Sequence, residues 1–323
     1  MELQIAGIHH ITAITGHASQ NVGFYTHVLG MRLVKKTVNQ DDVSAYHLFY
    51  GDRRGNPGTE LTFFDWPQSP QAVPGAATIA PIALRVGSSP TLEWWSRRFD
   101  EVGVTHEEIA ERHGRTVLAF QDPESQRIEL VDDRGRVGGA PWPESPVPAE
   151  HAIKGIHDVT VNSARPEGTT TLLTEVLGFH RAATFELERG AGRLTLFETG
   201  DGGAGSQVRV VAPAEARRGF AGIGGVHHVA FRTPDEEQQR QWRDRITQAG
   251  LQVTPVIDRF YFHSIYFREP GGALFEIATD GPGFATDEPE SALGERLSLP
   301  PFLEGRRQQI EAGLRPIEVP AGL

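Results

Sequence analysis

Short apolar segments recur along the chain, and each group follows the same order of hydrophobic spacing. A segment with strand-like spacing comes first, a stretch with helical spacing follows, and three more short apolar segments close the group. Four such groups open at residues 7–14, 79–86, 155–161 and 225–231. A repeat of this kind predicts four βαβββ modules, an α+β fold in which modules pair into open barrels.

A proline-rich stretch at residues 141–148 separates the second group from the third. We therefore expect an N-terminal pair of modules over residues 1–140 and a C-terminal pair over residues 150–285. A tail over residues 286–323 should contain a short helix at about residues 301–312. One module cannot bury both faces of its sheet, so two modules side by side should curl around an inner cavity.

The composition argues against some classes of binding partner and of metal ligand. Of the 323 residues, 38% are hydrophobic, enough for a substantial core, and the net charge of -11 argues against nucleic acid or an anionic membrane as a partner. The chain has no cysteine, so a metal site must use nitrogen and oxygen donors. The N-terminus lacks the features of a signal peptide, which favours a cytoplasmic location. A homo-oligomer remains open.

Two histidine pairs stand at equivalent positions, His9-His10 in the first module and His227-His228 in the fourth. Because adjacent side chains of a strand face opposite sides, each pair should present one histidine to the cavity. Glu276 lies in an apolar strand, where a buried carboxylate needs a cation or a good donor. Two histidines and a carboxylate with open positions form the facial triad of non-haem Fe(II) oxygenases.

A structural interpretation stands beside this one, because a lone histidine on a strand is usually a core residue. Two further residues also occupy related places in the repeats. Glu129 of the second module matches Glu276, and His157 of the third module matches the histidine pairs. The second module has no histidine at its opening, so we interpret Glu129 as structural.

The segments 7–12, 24–25 with 29–30, 34–39, 225–231 and 270–276 resemble the vicinal oxygen chelate superfamily, which includes glyoxalases, bleomycin resistance proteins and extradiol dioxygenases. Within it, they are most similar to the ring-cleaving hydroquinone dioxygenases. The resemblance extends from about residue 7 to residue 284.

This resemblance implies a chemistry and a set of residues. The metal ligands would be His10, His228 and Glu276, the cofactor Fe(II), and the substrates a small aromatic molecule and O₂. Tyr266, Arg259 and His227 would be the catalytic residues of the substrate pocket. Tyr266 as a core tyrosine and Arg259 as a surface ion pair remain alternative interpretations.

Three other functions remain open. A catechol extradiol dioxygenase of the same superfamily would take its ligands from His157, His228 and Glu276. A glyoxalase-type lyase or isomerase would use a fourth protein ligand and no O₂. A metal-free binding protein would leave Glu276 without a cation, which counts against it.

Overall fold

Four modules with the same order of elements account for most of the chain, as the sequence predicts. The structure is a computed structural model, and it describes residues 3–215 and 217–318. Each module contributes four strands, which in chain order are β1 Ile8–Thr15, β2 Arg32–Val38, β3 Tyr46–Gly51, β4 Glu60–Asp65, β5 Thr78–Val86, β6 Ala110–Arg112, β7 Arg115–Gln121, β8 Arg127–Asp132, β9 Ile156–Asn162, β10 His180–Glu186, β11 Gly192–Glu198, β12 Gln207–Pro213, β13 Gly225–Thr233, β14 Ile257–Asp258, β15 His263–Arg268 and β16 Leu274–Thr279.

The helices lie after the first strand of each module and in the tail. They are α1 Ala18–Gly23, α2 Ser89–Val102, α3 Pro166–Thr171, α4 Glu236–Gln248, α5 Pro301–Glu304 and α6 Arg307–Gly313. In the fourth module, the stretch with helical spacing forms α4. It begins where the side chain of Asp235 accepts a hydrogen bond from the backbone N–H of Gln238, and it buries Trp242 and Ile246. Burial of each such side chain is worth about 1.5–3 kcal/mol.

The strands form two eight-stranded sheets, and each sheet curls into an open barrel. The first barrel has the strand order β14-β15-β16-β13-β1-β4-β3-β2, and the second has the order β10-β11-β12-β9-β5-β8-β7-β6. Modules one and four therefore share the first barrel, and modules two and three share the second. Residues 1–140 and 150–285 each contribute one module to each barrel, and a division into domains at these boundaries stays a prediction.

In each barrel, the first strands of the two modules lie side by side at the centre and run antiparallel. β1 pairs with β13 in the first barrel, and β5 pairs with β9 in the second. The histidine pairs of modules one and four thus lie on neighbouring strands, although more than 200 positions separate them in the sequence.

The tail packs against the first barrel instead of extending away from it. Its expected helix is two short helices, α5 and α6, which bury Leu303 and Ile310 in the main core. Nζ of the buried Lys35 on β2 lies 2.7 Å from Oδ1 of Asp287 and also contacts Glu288. In the described ranges, 3–215 and 217–318, no helix is both long enough and apolar enough to cross a membrane.

Candidate metal centre and active-site cavity

Two β-bulges turn both histidines of each pair to the same side of their strand. The register of β1 against β13 slips by one residue at His9 and again at His227. Nδ1 of His9 lies 3.0 Å from Nδ1 of His10, and Nδ1 of His227 lies 2.7 Å from Nδ1 of His228. The expected alternation of the two rings is therefore wrong, because a bulge adds one residue to a strand and re-aims the side chains beside it.

The second histidine of each pair meets Glu276 of β16. Nε2 of His10 lies 3.3 Å from Nε2 of His228 and 3.4 Å from Oε2 of Glu276, while Nε2 of His228 lies 2.8 Å from the same carboxylate oxygen. All three side chains are buried, with at most 3% of their surface exposed. The structure thus brings together the three residues that the sequence nominates as metal ligands.

Glu276 provides the test of whether a metal fits this cluster. The hydroxyl of Ser264 donates to Oε1, whereas Oε2 is buried and has no hydrogen-bond partner among the described residues. Although burial opposes ionisation, the two histidines beside it hold the pKa of Glu276 well below its usual value, an effect that requires positive charge within this cluster. A buried ionised oxygen without a partner is costly, and a divalent cation between it and the two histidines would remove that cost.

The tautomer of His10 follows from a hydrogen bond made by His9. Nε2 of His9 lies 3.1 Å from the carbonyl oxygen of Thr279, so this nitrogen carries the proton and donates it. Burial lowers the pKa of His9 well below 6.5, so the ring is neutral and its Nδ1 can only accept. The partner atom, Nδ1 of His10, must then donate, which leaves a lone pair on Nε2 of His10 directed at the cluster.

His227 lies behind His228 as His9 lies behind His10. Burial first, then the neighbouring His228, lowers the pKa of His227 to about 3, so the ring is neutral, with one nitrogen that donates and one that accepts. Its ring packs against Phe64 and Trp66, with centroid distances of 5.5 and 5.6 Å. His227 does not line the cavity that opens beside His10 and His228, so the structure places it against a candidate ligand and not against a substrate.

A cavity opens on the exposed side of the cluster, with His10 and His228 in its wall. Five aromatic residues form one part of the wall, and six polar residues form another. The aromatic residues are Phe49, Phe64, Tyr261, Phe262 and Tyr266, and the polar residues are Thr37, Asn39, Gln40, Asp41, His47 and Arg259. An aromatic slot beside a candidate metal centre is suited to a small aromatic ring.

Tyr266 and Arg259 meet in this cavity. The guanidinium carbon of Arg259 lies 5.5 Å from the ring centroid of Tyr266, and the ring of Tyr266 lies 5.7 Å from that of His228. Burial and the charge of Glu276 raise the pKa of Tyr266 above its usual value, so the phenol keeps its proton at neutral pH. Arg259 also forms an ion pair with Asp41, with Nη2 and Oδ2 at 2.8 Å. The two interpretations of Arg259, pocket residue and ion pair, are therefore both true.

His47, which the sequence did not predict as a site residue, also lines the cavity. Its Nε2 lies 3.0 Å from the hydroxyl oxygen of Thr62, which lies 2.8 Å from the hydroxyl oxygen of Thr12. Burial lowers the pKa of His47 well below 6.5. The signal was a polar residue in the otherwise apolar strand β3, the same signal that identified Glu276.

His157, the alternative ligand, lies in the second barrel. The register of β5 against β9 slips at His157, so His157 corresponds to His9 and His227, and Asp158 corresponds to the second histidine of each pair. Nδ1 of His157 lies 2.8 Å from Oδ2 of Asp158. Among the described residues, the candidate ligand clusters are His10, His228 and Glu276, and a second one of His9, His10 and Glu60, and His157 belongs to neither.

Comparison with known families identifies one superfamily. The profile of the Glyoxalase/Bleomycin resistance protein/Dioxygenase superfamily matches residues 7–130 and 155–277. MhqA of Bacillus subtilis, whose name describes a ring-cleaving dioxygenase, is 44% identical over 317 residues, 98% of this chain and 100% of its own. The chlorohydroquinone/hydroquinone 1,2-dioxygenase of Sphingobium indicum is 34% identical over 316 residues, 95% of each chain.

Solved structures agree on the fold. A crystal structure of a dioxygenase-like protein from Bacillus subtilis superposes with a TM-score of 0.90 at 40% identity, over 99% of each chain. Glyoxalase I from Zea mays superposes with a TM-score of 0.64 at 14% identity, over 85% of this chain and 92% of its own. At that identity, the second likeness concerns the fold alone.

Proposed function

Because the chain belongs to the Glyoxalase/Bleomycin resistance protein/Dioxygenase superfamily, we propose that it is a ring-cleaving dioxygenase that opens hydroquinone-type aromatic rings. Its cofactor would be a non-haem Fe(II) held by His10, His228 and Glu276. The relatives named for ring cleavage, and for hydroquinone in the protein of Sphingobium indicum, support this choice.

One observation carries the proposal. Oε2 of Glu276 is buried and unpartnered among the described residues, two histidine nitrogens face it, and those histidines line an aromatic cavity. Two nitrogens and one carboxylate oxygen, with free positions towards a substrate, form the ligand set of non-haem Fe(II) oxygenases. When bound, such a metal acidifies a coordinated phenol and brings it into contact with O₂.

The protein's own residues would keep the ligands oriented. His9 accepts from Nδ1 of His10, and His227 contacts Nδ1 of His228, so each ligand ring is held from behind. The hydroxyl of Ser264 holds Oε1 of Glu276 and leaves Oε2 for the metal. Such supporting contacts are typically worth 10- to 100-fold in metal affinity.

Tyr266 and Arg259 would act on the substrate. The raised pKa of Tyr266 keeps a proton on the phenol oxygen, which can donate to a substrate oxygen. Arg259, held by Asp41, presents a positive charge over the tyrosine ring, where it would stabilise negative charge that develops on the substrate. The aromatic wall would exclude water and keep the substrate ring in one plane.

The glyoxalase-type alternative receives less support, because it calls for a fourth protein ligand. Thr12, two residues beyond His10, pairs with Thr62, in the same way that Ala230, two residues beyond His228, pairs with Glu276. The symmetric counterpart of Glu276 is therefore Thr62, a residue without a carboxylate.

The experiment is an assay of O₂ uptake by enzyme reconstituted anaerobically with Fe(II), against a panel of hydroquinones and catechols. We expect one O₂ consumed per hydroquinone opened, and little uptake with catechols. His10→Ala should lose iron and activity, while the matched control His157→Ala should keep both. Loss of iron only from the His157 variant would favour the catechol dioxygenase, and no O₂ uptake with any phenol would exclude both ring-cleaving functions.

A further inference from the structure

The second barrel repeats the strand register of the first, but a basic residue replaces the acidic residue at the position of Glu276. In the first barrel, Ala230, two residues beyond His228, pairs with Glu276. In the second barrel, Thr160, two residues beyond Asp158, pairs with Arg209. Arg209 thus occupies the position of Glu276, and Asp158 occupies that of His228.

Buried charges fill this position instead of a set of metal ligands. Arg115 of β7 forms two ion pairs, from Nη1 to Oδ2 of Asp158 and from Nη2 to Oε2 of Glu129, both at 2.7 Å. Nε of Arg209 lies 3.3 Å from the same oxygen of Asp158. Burial opposes ionisation of Asp158, yet the two guanidinium groups hold its pKa well below the usual value. Glu129 is therefore held in an ion pair with Arg115, as its structural interpretation expects, and it belongs to no cluster of candidate metal ligands among the described residues.

Arg209 has unused donors. Its side chain is 2% exposed, and a guanidinium carries five N–H groups. Within the described part of the chain, its hydrogen bond runs from Nη1 to the carbonyl oxygen of His113, at 3.4 Å, and Nε makes none. Burial lowers the pKa of Arg209, a sign that its charge is incompletely compensated. A buried guanidinium with free donors is costly unless another acceptor reaches it.

A cavity lies directly beside these donors. Arg115, Arg209 and His157 form its inner wall, and the exposed Arg134 and Arg136 lie at its mouth.

Two aspartates, Asp132 and Asp133, also border the cavity but are already engaged. Asp133 is 2.7 Å from Nη2 of Arg85 and 2.9 Å from Nζ of Lys154, and Asp132 accepts from Ser89. Positive charge therefore dominates the part of the wall that is free to bind.

We propose that this cavity of the second barrel is a binding site for a small oxyanion, a phosphate or a carboxylate, held by Arg209, with the positive charge of Arg134 and Arg136 at the mouth. A planar guanidinium fork matches the oxygen spacing of both anions, and charge-assisted bonds to a buried guanidinium are strong. The site is independent of the chemistry at the first barrel. The two barrels of one fold thus bind opposite charges at corresponding positions.

The test is isothermal titration calorimetry with inorganic phosphate and, separately, with acetate, at neutral pH and constant ionic strength. We expect one anion per chain with a Kd tighter than about 1 mM for at least one of the two. The anion that binds more tightly identifies the source of the oxyanion. The same titration on His228→Ala separates this cavity from any anion binding at a metal, and binding should persist there.

Arg209→Leu should weaken binding at least tenfold. Arg193→Leu, an exposed arginine on the neighbouring strand of the same sheet, is the matched control and should bind as the wild type does. If Arg209→Leu does not fold, Arg209→Lys keeps the charge without the fork and should also weaken binding. No saturable binding of either anion, equal binding by the Arg209 variants, or loss of binding in His228→Ala would overturn the proposal.

Discussion

Nε2 of His9 donates to the carbonyl oxygen of Thr279 at 3.1 Å, three residues beyond Glu276 on the same strand. One strand therefore provides both the candidate carboxylate ligand and the carbonyl that fixes the tautomer of His9. Through His9, the same carbonyl sets which nitrogen of His10 keeps its lone pair. A displacement of β16 would therefore disturb two candidate ligands at once, Glu276 and His10.

Replacement of His9 should weaken metal binding without removing a ligand. His9→Leu takes away the acceptor for Nδ1–H of His10, so we expect a 10- to 100-fold loss of Fe(II) affinity. His9→Asn keeps an acceptor near the position of Nδ1 and should lie between Leu and the wild type. Metal titration at fixed pH measures the order, with thermal melting as the check on folding. Equal affinity in all three proteins would show that His9 does not orient His10.

Tyr266→Phe should lower turnover far more than metal content. If Tyr266 donates a proton during ring cleavage, its loss costs about 10²–10⁴ in kcat. Metal analysis should still give the wild-type content, because Tyr266 does not contact Glu276 through a hydrogen bond in the described structure. Tyr46→Phe, on β3 and outside the cavity, is the control. Wild-type kcat in Tyr266→Phe would remove this residue from the mechanism.

Lys35 and Lys36 are neighbours on β2 with opposite environments, which makes them a matched pair. Lys35→Met leaves the buried carboxylate of Glu288 without its main cation, so we expect a loss of about 3–5 kcal/mol in the free energy of unfolding. Among the described residues, the side chain of Lys36 donates only to the backbone oxygen of Glu295, and Lys36→Met should change stability by about 0.5 kcal/mol or less. Urea denaturation measures both, and proteolysis near residues 285–300 should accelerate only in the Lys35 variant.

Asp122 should make stability depend on pH. Its carboxylate accepts from the hydroxyl of Tyr25 and from the backbone N–H groups of Glu124 and Gln126, and burial raises its pKa to about 6. Because the folded pKa exceeds the unfolded value near 4, the folded state binds more protons between these values. The contribution of Asp122 is therefore most favourable at low pH and is lost as pH rises through 6.

Asp122→Asn imitates the protonated form at every pH. Relative to the wild type, its free energy of unfolding should rise by about 2.5 kcal/mol between pH 4 and pH 8. The exposed Asp244→Asn should show no such trend. A flat difference for Asp122→Asn would mean that this carboxyl titrates alike in the folded and unfolded chain.

The sequence predicted the four modules and the cluster of His10, His228 and Glu276, because repeated His-His pairs and a carboxylate in an apolar strand can be recognised in the sequence alone. It predicted α4 from helical spacing. It did not predict that His9 and His10 face the same side, since strand alternation carries no information about a register slip. That slip depends on how β1 lies against β13, a partner far away in the chain.

The sequence also did not predict the cluster of buried ion pairs in the second barrel. Glu129 was interpreted as structural, but Arg115, on the neighbouring strand, and Arg209, which meets Arg115 at Asp158, carried no motif. Their role depends on register between strands, which a single sequence does not specify. His47 was missed for a related reason, because its partner Thr62 lies on the adjacent strand.

The pairing of module one with module four has a consequence for biosynthesis. His10 leaves the ribosome before modules two and three, and Glu276 leaves it after them, so modules two and three can complete their shared sheet in between. A chain that terminates early can therefore contain a finished second barrel but never a complete set of candidate iron ligands. Assembly of the candidate metal centre is therefore postponed until module four has been synthesised, and a fragment that ends before module four would not carry it.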